Sequence, residues 1–348
     1  MSAQTDDRTD QRTDQRTDQR TDEVRVARGE AARASYTLFR VRVAAVERLG
    51  TSFVRLTMTS PDLARFGAAG YDQRFKVLLF PRPFEDYGVP QGDWYTWWRE
   101  LPDEVRPVMR TYTVRAFRPA TAAADAEIDV DFVLHGIGEG TGDGGAHAGP
   151  ASRWAAGAAV GDEVVLVGPD APGTGRMWGV EWAPPAEART LLLAGDETAV
   201  PAVSAVLEQL PAGVAVTALL EVPDAGDILD LRSDADLTVE WLPRNDVHAP
   251  GDLLQRRVHD VASALVDQVR AEDLTSQGTD QDGEDEDGIL WDVPENAEAA
   301  GPECLYAWLA GESGVVKALR RHLVREVGVP RSSVAFMGYW RAGRAEGE

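Results

Sequence analysis

TLLLAGDETAVPAVSAVLEQL, residues 190–210, changes its periodicity midway, and that change decides the fold. Thr190–Ala194 is an apolar run of strand length, and Gly195–Asp196 is a turn signal. Ala199, Val203, Val206, Leu207 and Leu210 then recur at helical spacing. A glycine permits a tight strand-to-helix turn, and Pro201 is tolerated in a first helical turn, where its missing N–H would have no partner. The alternation continues downstream. Val214–Val222 and Leu237–Leu242 read as strands, and Leu253, Leu254, Val258, Val261, Leu265 and Val269 describe one helix face. Leu305–Ala310 and Val334–Met337 complete the strands, with Val316, Leu319, Leu323 and Val327 on a helix between them. Strands alternating with helices predict a doubly wound parallel sheet over residues 184–348.

Upstream of Pro184 the pattern is different. Thr37–Glu47 and Ser52–Thr59 flank Leu49–Gly50–Thr51 and predict a hairpin, and Phe75–Phe80, Thr111–Phe117, Glu127–Leu134 and Glu163–Val167 supply further strands. Ile128, Val130, Phe132 and Leu134 alternate strictly, the mark of a half-buried strand. About six strands without a long helix predict a small antiparallel β-barrel over residues 34–183. The expected fold class is therefore a two-domain β plus α/β protein.

Two segments fall outside this scheme. Residues 6–22 repeat a T-D-Q-R unit with no large apolar side chain, so residues 1–33 are expected to be a disordered tail. Residues 271–300 hold eleven acids and no base, including Asp282, Glu284, Asp285, Glu286 and Asp287, and read as an acidic surface insertion. The formal charge of -23 argues against a nucleic-acid partner or an anionic membrane surface, both of which select basic faces. A single cysteine, Cys304, excludes an internal disulfide and a four-cysteine iron–sulfur cluster. No apolar stretch approaches the roughly 20 residues of a membrane span, and the start lacks the apolar core of a signal peptide; a cytoplasmic protein is expected. His135, His147, His248, His259 and His322 show no metal-ligand spacing, and no G-x-S-x-G elbow occurs, which disfavours a zinc enzyme and a serine hydrolase.

The chemistry concentrates in ordered motifs. Arg110–Thr111–Tyr112–Thr113 pairs a cation that can hold a pyrophosphate bidentately with an aromatic ring and a hydroxyl. His135–Gly136 ends a strand, Gly149–Pro150–Ala151–Ser152–Arg153–Trp154–Ala155 follows, and Gly161–Asp162 and Gly168–Pro169 bracket another strand. Gly195–Asp196–Glu197–Thr198–Ala199–Val200–Pro201–Ala202 occupies the strand-to-helix turn quoted above. Near the end stand Trp308–Leu309–Ala310–Gly311–Glu312 and Gly338–Tyr339–Trp340–Arg341–Ala342–Gly343. The strand-to-helix turn at Gly195 does not carry G-x-G-x-x-G, so a dinucleotide is not expected to bind there through that fingerprint.

Arg110–Thr113 resembles the flavin-binding R-x-Y-[ST] motif of the ferredoxin-reductase superfamily, and the full series resembles the siderophore-interacting protein family over about residues 36–345. The resemblance implies FAD, with Arg110 on the pyrophosphate, Tyr112 on the flavin face and Thr113 near the flavin N5. It places His135 and Gly136 beside the flavin and opens a helix at Gly149, whose backbone N–H groups and Ser152 hydroxyl receive the pyrophosphate. Thr111, Ala151, Trp154, Asp196 and Ala199 belong to the same motifs and are counted with the cofactor site. Gly195 and Thr198 are expected at the nicotinamide or flavin edge, and Trp340 over the flavin. The implied activity is reduction of siderophore-bound iron(III) to iron(II), with Lys76, Arg153 and Arg341 as a basic triad for an anionic ferric siderophore. Glu221 ends the second strand of the parallel sheet, where an acid often binds a ribose 2′-hydroxyl, so NADH is favoured over NADPH; Arg244 reverses this if it meets a phosphate. Ferredoxin is an alternative donor. A general flavin oxidoreductase with another acceptor, and a siderophore-binding protein without turnover, stay open.

Overall fold

The computed structural model describes residues 36–90, 93–137, 148–171, 179–185, 188–272, 291–292 and 305–343. The repeat tail and most of the acidic segment lie outside the described residues.

The first sheet contains seven antiparallel strands. They are β1 (Tyr36–Arg48), β2 (Phe53–Ser60), β3 (Arg74–Leu79), β4 (Val108–Thr113), β5 (Ala116–Arg118), β6 (Ala126–Val133) and β7 (Glu163–Pro169), in the order β4-β3-β7-β1-β2-β6-β5. One strand more than expected appears because Thr111–Phe117 divides at Val114–Arg115. There the backbone crosses from one edge of the sheet to the other: Val114 N–H donates to Gln73 on the β3 side, and Arg115 N–H to Asp129 on β6. Two edge strands joined by two residues force the sheet to curl into a half-barrel. Phe39, Leu56, Phe75, Ile128, Val130 and Phe132 fill its interior.

The alternation in β6 is real, yet the strand is buried on both faces. Asp129 and Asp131, on the face opposite Ile128 and Val130, are also buried. Arg55 grips Asp131 at 2.6 and 2.8 Å, and Arg118 grips Asp129 at 2.6 and 2.7 Å. The paired guanidinium groups shield those carboxylates from solvent without leaving them unsatisfied. Helix α1 (Trp94–Glu100), which the strand-based reading omitted, sits in the β3–β4 connection.

The second sheet follows the sequence reading closely. β8 (Thr190–Gly195), β9 (Ala215–Val222), β10 (Asp236–Pro243), β12 (Leu305–Glu312) and β13 (Val334–Trp340) are parallel neighbours in the order β10-β9-β8-β12-β13. β11 (Trp291–Asp292), from the acidic segment, adds a short antiparallel edge. Period-two side-chain alternation divides the core in two. Leu191, Leu193, Tyr306, Trp308 and Ala310 face one side, with helix α3 (Val200–Leu207); Leu192, Ala194, Leu305, Ala307 and Leu309 face the other. Helix α4 (Asp252–Glu272) and α5 (Ser313–Arg321), which continues as a π-helical turn at His322–Val327, cover that second side. With helices on both faces, the sheet is doubly wound.

Every residue of α3 is buried, not only the expected stripe. The helix lies between its sheet and the half-barrel, and Phe53 and Val133 of the barrel share its apolar cluster. Polar clamps fix the two domains together. Fully buried Asp72 accepts from Trp182 N–H at 2.9 Å, Glu181 N–H at 3.1 Å and the Trp308 indole at 3.2 Å. Arg115 meets Glu208 bidentately at 2.8 and 2.5 Å, and Asp227 accepts from Ser52 N–H at 2.6 Å.

Candidate flavin site at the domain junction

β4 carries Arg110, Thr111 and Tyr112, all half-buried, followed by buried Thr113. Antiparallel register sets Lys76 of β3 opposite Thr111, and Lys76 Nζ donates to the Thr111 hydroxyl at 2.5 Å. The Tyr112 ring lies 4.3 Å from that of Phe132, which is 5.6 Å from Trp154. These three rings join the edge strand to helix α2 (Pro150–Gly157). A cleft behind Trp154 is lined by Arg40, Leu79, Phe80, Arg82 and Phe84.

The first turn of α2 has the chemistry an anionic group requires. Its N-cap is Gly149, which has no side chain to satisfy the leading N–H groups, and Pro150 follows at the first position. Among the described residues, a Cβ at Gly149 would meet nothing within 4 Å. Ser152 is placed otherwise than expected: its hydroxyl donates to the Val133 carbonyl at 3.0 Å, tying α2 to the end of β6. Its backbone N–H, with that of Ala151, is what the helix offers a pyrophosphate. Arg153 turns back to donate to the Ala148 carbonyl.

His135 and Gly136 follow β6, with Gly136 in the left-handed region at φ +69°. The His135 Nδ1 stands 3.6 Å from Glu197 Oε1 across the domain boundary. Although the imidazole edge meets solvent, the surrounding walls desolvate the ring and hold its pKa below the usual value; Glu197 opposes that shift and Arg244 adds to it. Trp340, at the end of β13, places its ring 6.3 Å from His135.

Asp196 organises the other side. Parallel strand order reverses between β8 and β12, the switch point beyond whose carboxyl ends open α/β sheets bind ligands. Gly195 ends β8 because a Cβ there would fall 2.4 Å from the Ala199 Cβ and 2.7 Å from the Ala310 carbonyl. One Asp196 oxygen accepts from Thr198 N–H at 2.9 Å and the Thr198 hydroxyl at 2.5 Å. The other accepts from Glu312 N–H at 2.8 Å and the Trp340 indole at 2.7 Å. Gly311, at φ +142°, makes room for it, since a Cβ would meet Asp196 Oδ2 at 2.5 Å. Burial, and next the Glu197 charge, push the Asp196 pKa up to about 6 against the pull of these donors. Thr198 is thus bound to Asp196, and Asp196 pins Trp340 across the crevice.

The two residues expected at the nucleotide, Glu221 and Arg244, have partners within the protein. Glu221 is fully buried and accepts from Gly251, Leu253 and Leu254 N–H groups at 2.6, 3.1 and 2.9 Å, capping α4. Arg244 donates bidentately to Glu197 at 2.8 and 3.0 Å and to Glu221 at 3.1 Å. Burial opposes its charge, but the bonds to Glu197 and the charges of both glutamates keep its pKa above the ordinary value. Lys76, Arg153 and Arg341 occupy three separate elements: β3, α2 and the turn after β13. Sequence reasoning missed Glu197 and Phe132 as site residues. The available signal for Glu197 was a second acid directly after Asp196 at a tight turn.

An uncapped helix start, an arginine–tyrosine edge strand and an aromatic cluster on the half-barrel fit one class: a two-domain flavoprotein oxidoreductase that binds FAD. Two family models match in succession, "Siderophore-interacting FAD-binding domain" over residues 42–173 and "Siderophore-interacting protein" over residues 188–343. The ferric vibriobactin reductase ViuB of Vibrio cholerae is 30% identical over 300 residues, covering 85% of this chain and 86% of that protein. The siderophore utilization protein from T. fusca is 26% identical with a TM-score of 0.57, covering 90% of this chain and 96% of the other. The siderophore-interacting protein SipS from Aeromonas hydrophila is 28% identical with a TM-score of 0.55, covering 91% and 94%. This chain belongs to the siderophore-interacting protein family. Among the described residues, no helix is long and apolar enough to cross a membrane.

Proposed function

We propose that this protein is a cytoplasmic ferric-siderophore reductase, converting chelated iron(III) to iron(II), which oxygen chelators hold far less tightly. The reading rests on the similarity to a ferric vibriobactin reductase across both domains, together with the match of the first domain to a siderophore-interacting FAD-binding domain. When bound, FAD accepts a hydride and passes electrons on singly. The residues supply position and charge: Arg110 and the α2 N–H groups would hold the pyrophosphate, and Tyr112 and His135 would border the flavin ring. Lys76, Arg153 and Arg341 attract the anionic ferric chelate locally, against a chain charge of -23.

The donor is a reduced pyridine nucleotide or ferredoxin. With Glu221 and Arg244 committed to each other and to Glu197, neither selects NADH over NADPH. A nicotinamide entering at the switch point meets the pinned Trp340 first. Stopped-flow reduction by NADH, NADPH and reduced ferredoxin identifies the donor. Anaerobic trapping of iron(II) from hydroxamate, catecholate and mixed siderophores tests the function. Replacing Lys76, Arg153 and Arg341 together by Ala weakens this release while FAD stays bound. Dye reduction without iron(II) release from any siderophore would establish a general flavin oxidoreductase instead.

A further inference from the structure

We propose that His259, His322 and Glu326 form a binding site for one divalent transition-metal ion, on the sheet face opposite α3. Their ligand atoms, one from each side chain, all lie within 4.8 Å of one another. The three come from elements distant in sequence: His259 from the middle of α4, His322 and Glu326 from the π-helical turn that continues α5. Their convergence is therefore a product of the fold.

Three observations point to a ligand. His322 is buried, and its Nδ1 lies 2.8 Å from Glu326 Oε2, while its buried Nε2 has no hydrogen-bond partner. All polar bonding of that ring is thus on the Nδ1 edge, the edge shared with Glu326. Next, the backbone widens from α to π geometry over His322–Val327, beginning at the histidine. Such widening is uncommon and recurs at functional sites. Last, His259 and Glu326 are exposed, so an ion has a path to the group.

The rings of His259 and His322 lie flat against each other, 3.5 Å between centroids and 12° between planes. Lone pairs lie in the ring plane, so two stacked imidazoles cannot both point at one ion. Coordination requires His259 to turn out of the stack, a side-chain rotation its exposure permits. With His259 so turned, the ion joins α4 to the π turn. Two imidazole nitrogens and one carboxylate oxygen, with positions left for water, suit zinc, cobalt, nickel or ferrous ions rather than calcium or magnesium, which favour oxygen donors.

The test is calorimetric titration of zinc into the full-length, FAD-loaded protein after chelator treatment and desalting. Binding of one ion per chain is expected at about pH 7.5. His259→Ala, an exposed position that tolerates truncation, and the isosteric Glu326→Gln each weaken binding at least about ten-fold, equivalent to ~1.4 kcal/mol. Zinc raises the melting temperature of the parent protein and not of His259→Ala, whose FAD reduction rate is unchanged. Absence of stoichiometric binding, or parent-like affinity in His259→Ala, overturns the assignment.

Discussion

Replacing Arg244 by Met separates two incompatible roles for this residue. If it met a nucleotide phosphate, its loss would raise KM for NADPH and leave stability untouched. The structure instead buries it between two carboxylates, Glu197 at 2.8 and 3.0 Å and Glu221 at 3.1 Å. Methionine fills most of the arginine stem but leaves both glutamates without their cation. Glu221 retains three backbone N–H donors from the start of α4, whereas Glu197, which is 2% exposed, keeps among the described residues only His135 at 3.6 Å. Breaking a buried ion pair on one side costs about 3–5 kcal/mol. For a domain of this size each kcal/mol moves the melting temperature by about 2–4 °C, so Arg244→Met is expected to melt roughly 6–20 °C lower. Adding Glu197→Gln removes the stranded charge, and the double variant should regain about 2 kcal/mol or more relative to Arg244→Met alone. Calorimetric melting of the parent and the three variants completes the cycle. A melting temperature within the parent's error for Arg244→Met, or strict additivity in the double variant, would refute the buried network as the role of Arg244.

Asp196 carries a pH signature of defined sign. Its folded pKa of about 6 lies above the unfolded carboxylate value of 3.8, so its ionised form costs stability above about pH 6, and that cost is relieved as pH falls through this range. Asp196→Asn should therefore lose this rise between about pH 6 and pH 4 when urea midpoints of variant and parent are compared; parallel pH profiles would contradict the assignment. Trp340→Ala removes the ring that Asp196 holds across the crevice. A charge-assisted hydrogen bond of about 1.5–3 kcal/mol corresponds to roughly 10–100-fold faster reduction of FAD by a nicotinamide, read by stopped flow. Gly311→Ala places a Cβ 2.5 Å from Asp196 Oδ2 at a φ of +142°, and is expected to lower the melting temperature and release the Trp340 indole together. Tyr112→Ala, which removes the ring packed at 4.3 Å on Phe132, should weaken FAD retention on gel filtration while the second domain keeps its fold.

Much of the architecture was legible locally. The break in periodicity at Gly195 located the start of the parallel sheet, because strand and helix repeats differ and glycine permits the turn between them. Its five parallel strands fall within a few residues of the expected runs. Curling of the first sheet was less visible, because one continuous β-rich run, Thr111–Phe117, holds two edge strands and the crossing between them. Helix α1 escaped notice for a related reason: aromatic residues at Trp94, Trp97 and Trp98 suit strands and helices alike, and packing against the barrel decided between them.

By itself, the sequence determined the two-domain order, the doubly wound second sheet, the family and the motif strand Arg110–Thr113, since each depends on residue type and short-range spacing. Only the tertiary structure decided what the charged residues do. Glu221 and Arg244 stand 23 residues apart and Glu197 another 24 before Glu221, distances over which no pattern reveals a partner. Whether a carboxylate faces a ribose or an arginine depends on which elements the fold brings together, and on the energetic need to neutralise charge wherever water is excluded. The same holds for Asp196 and Trp340, 144 residues apart, whose 2.7 Å bond exists because β8 and β13 flank β12.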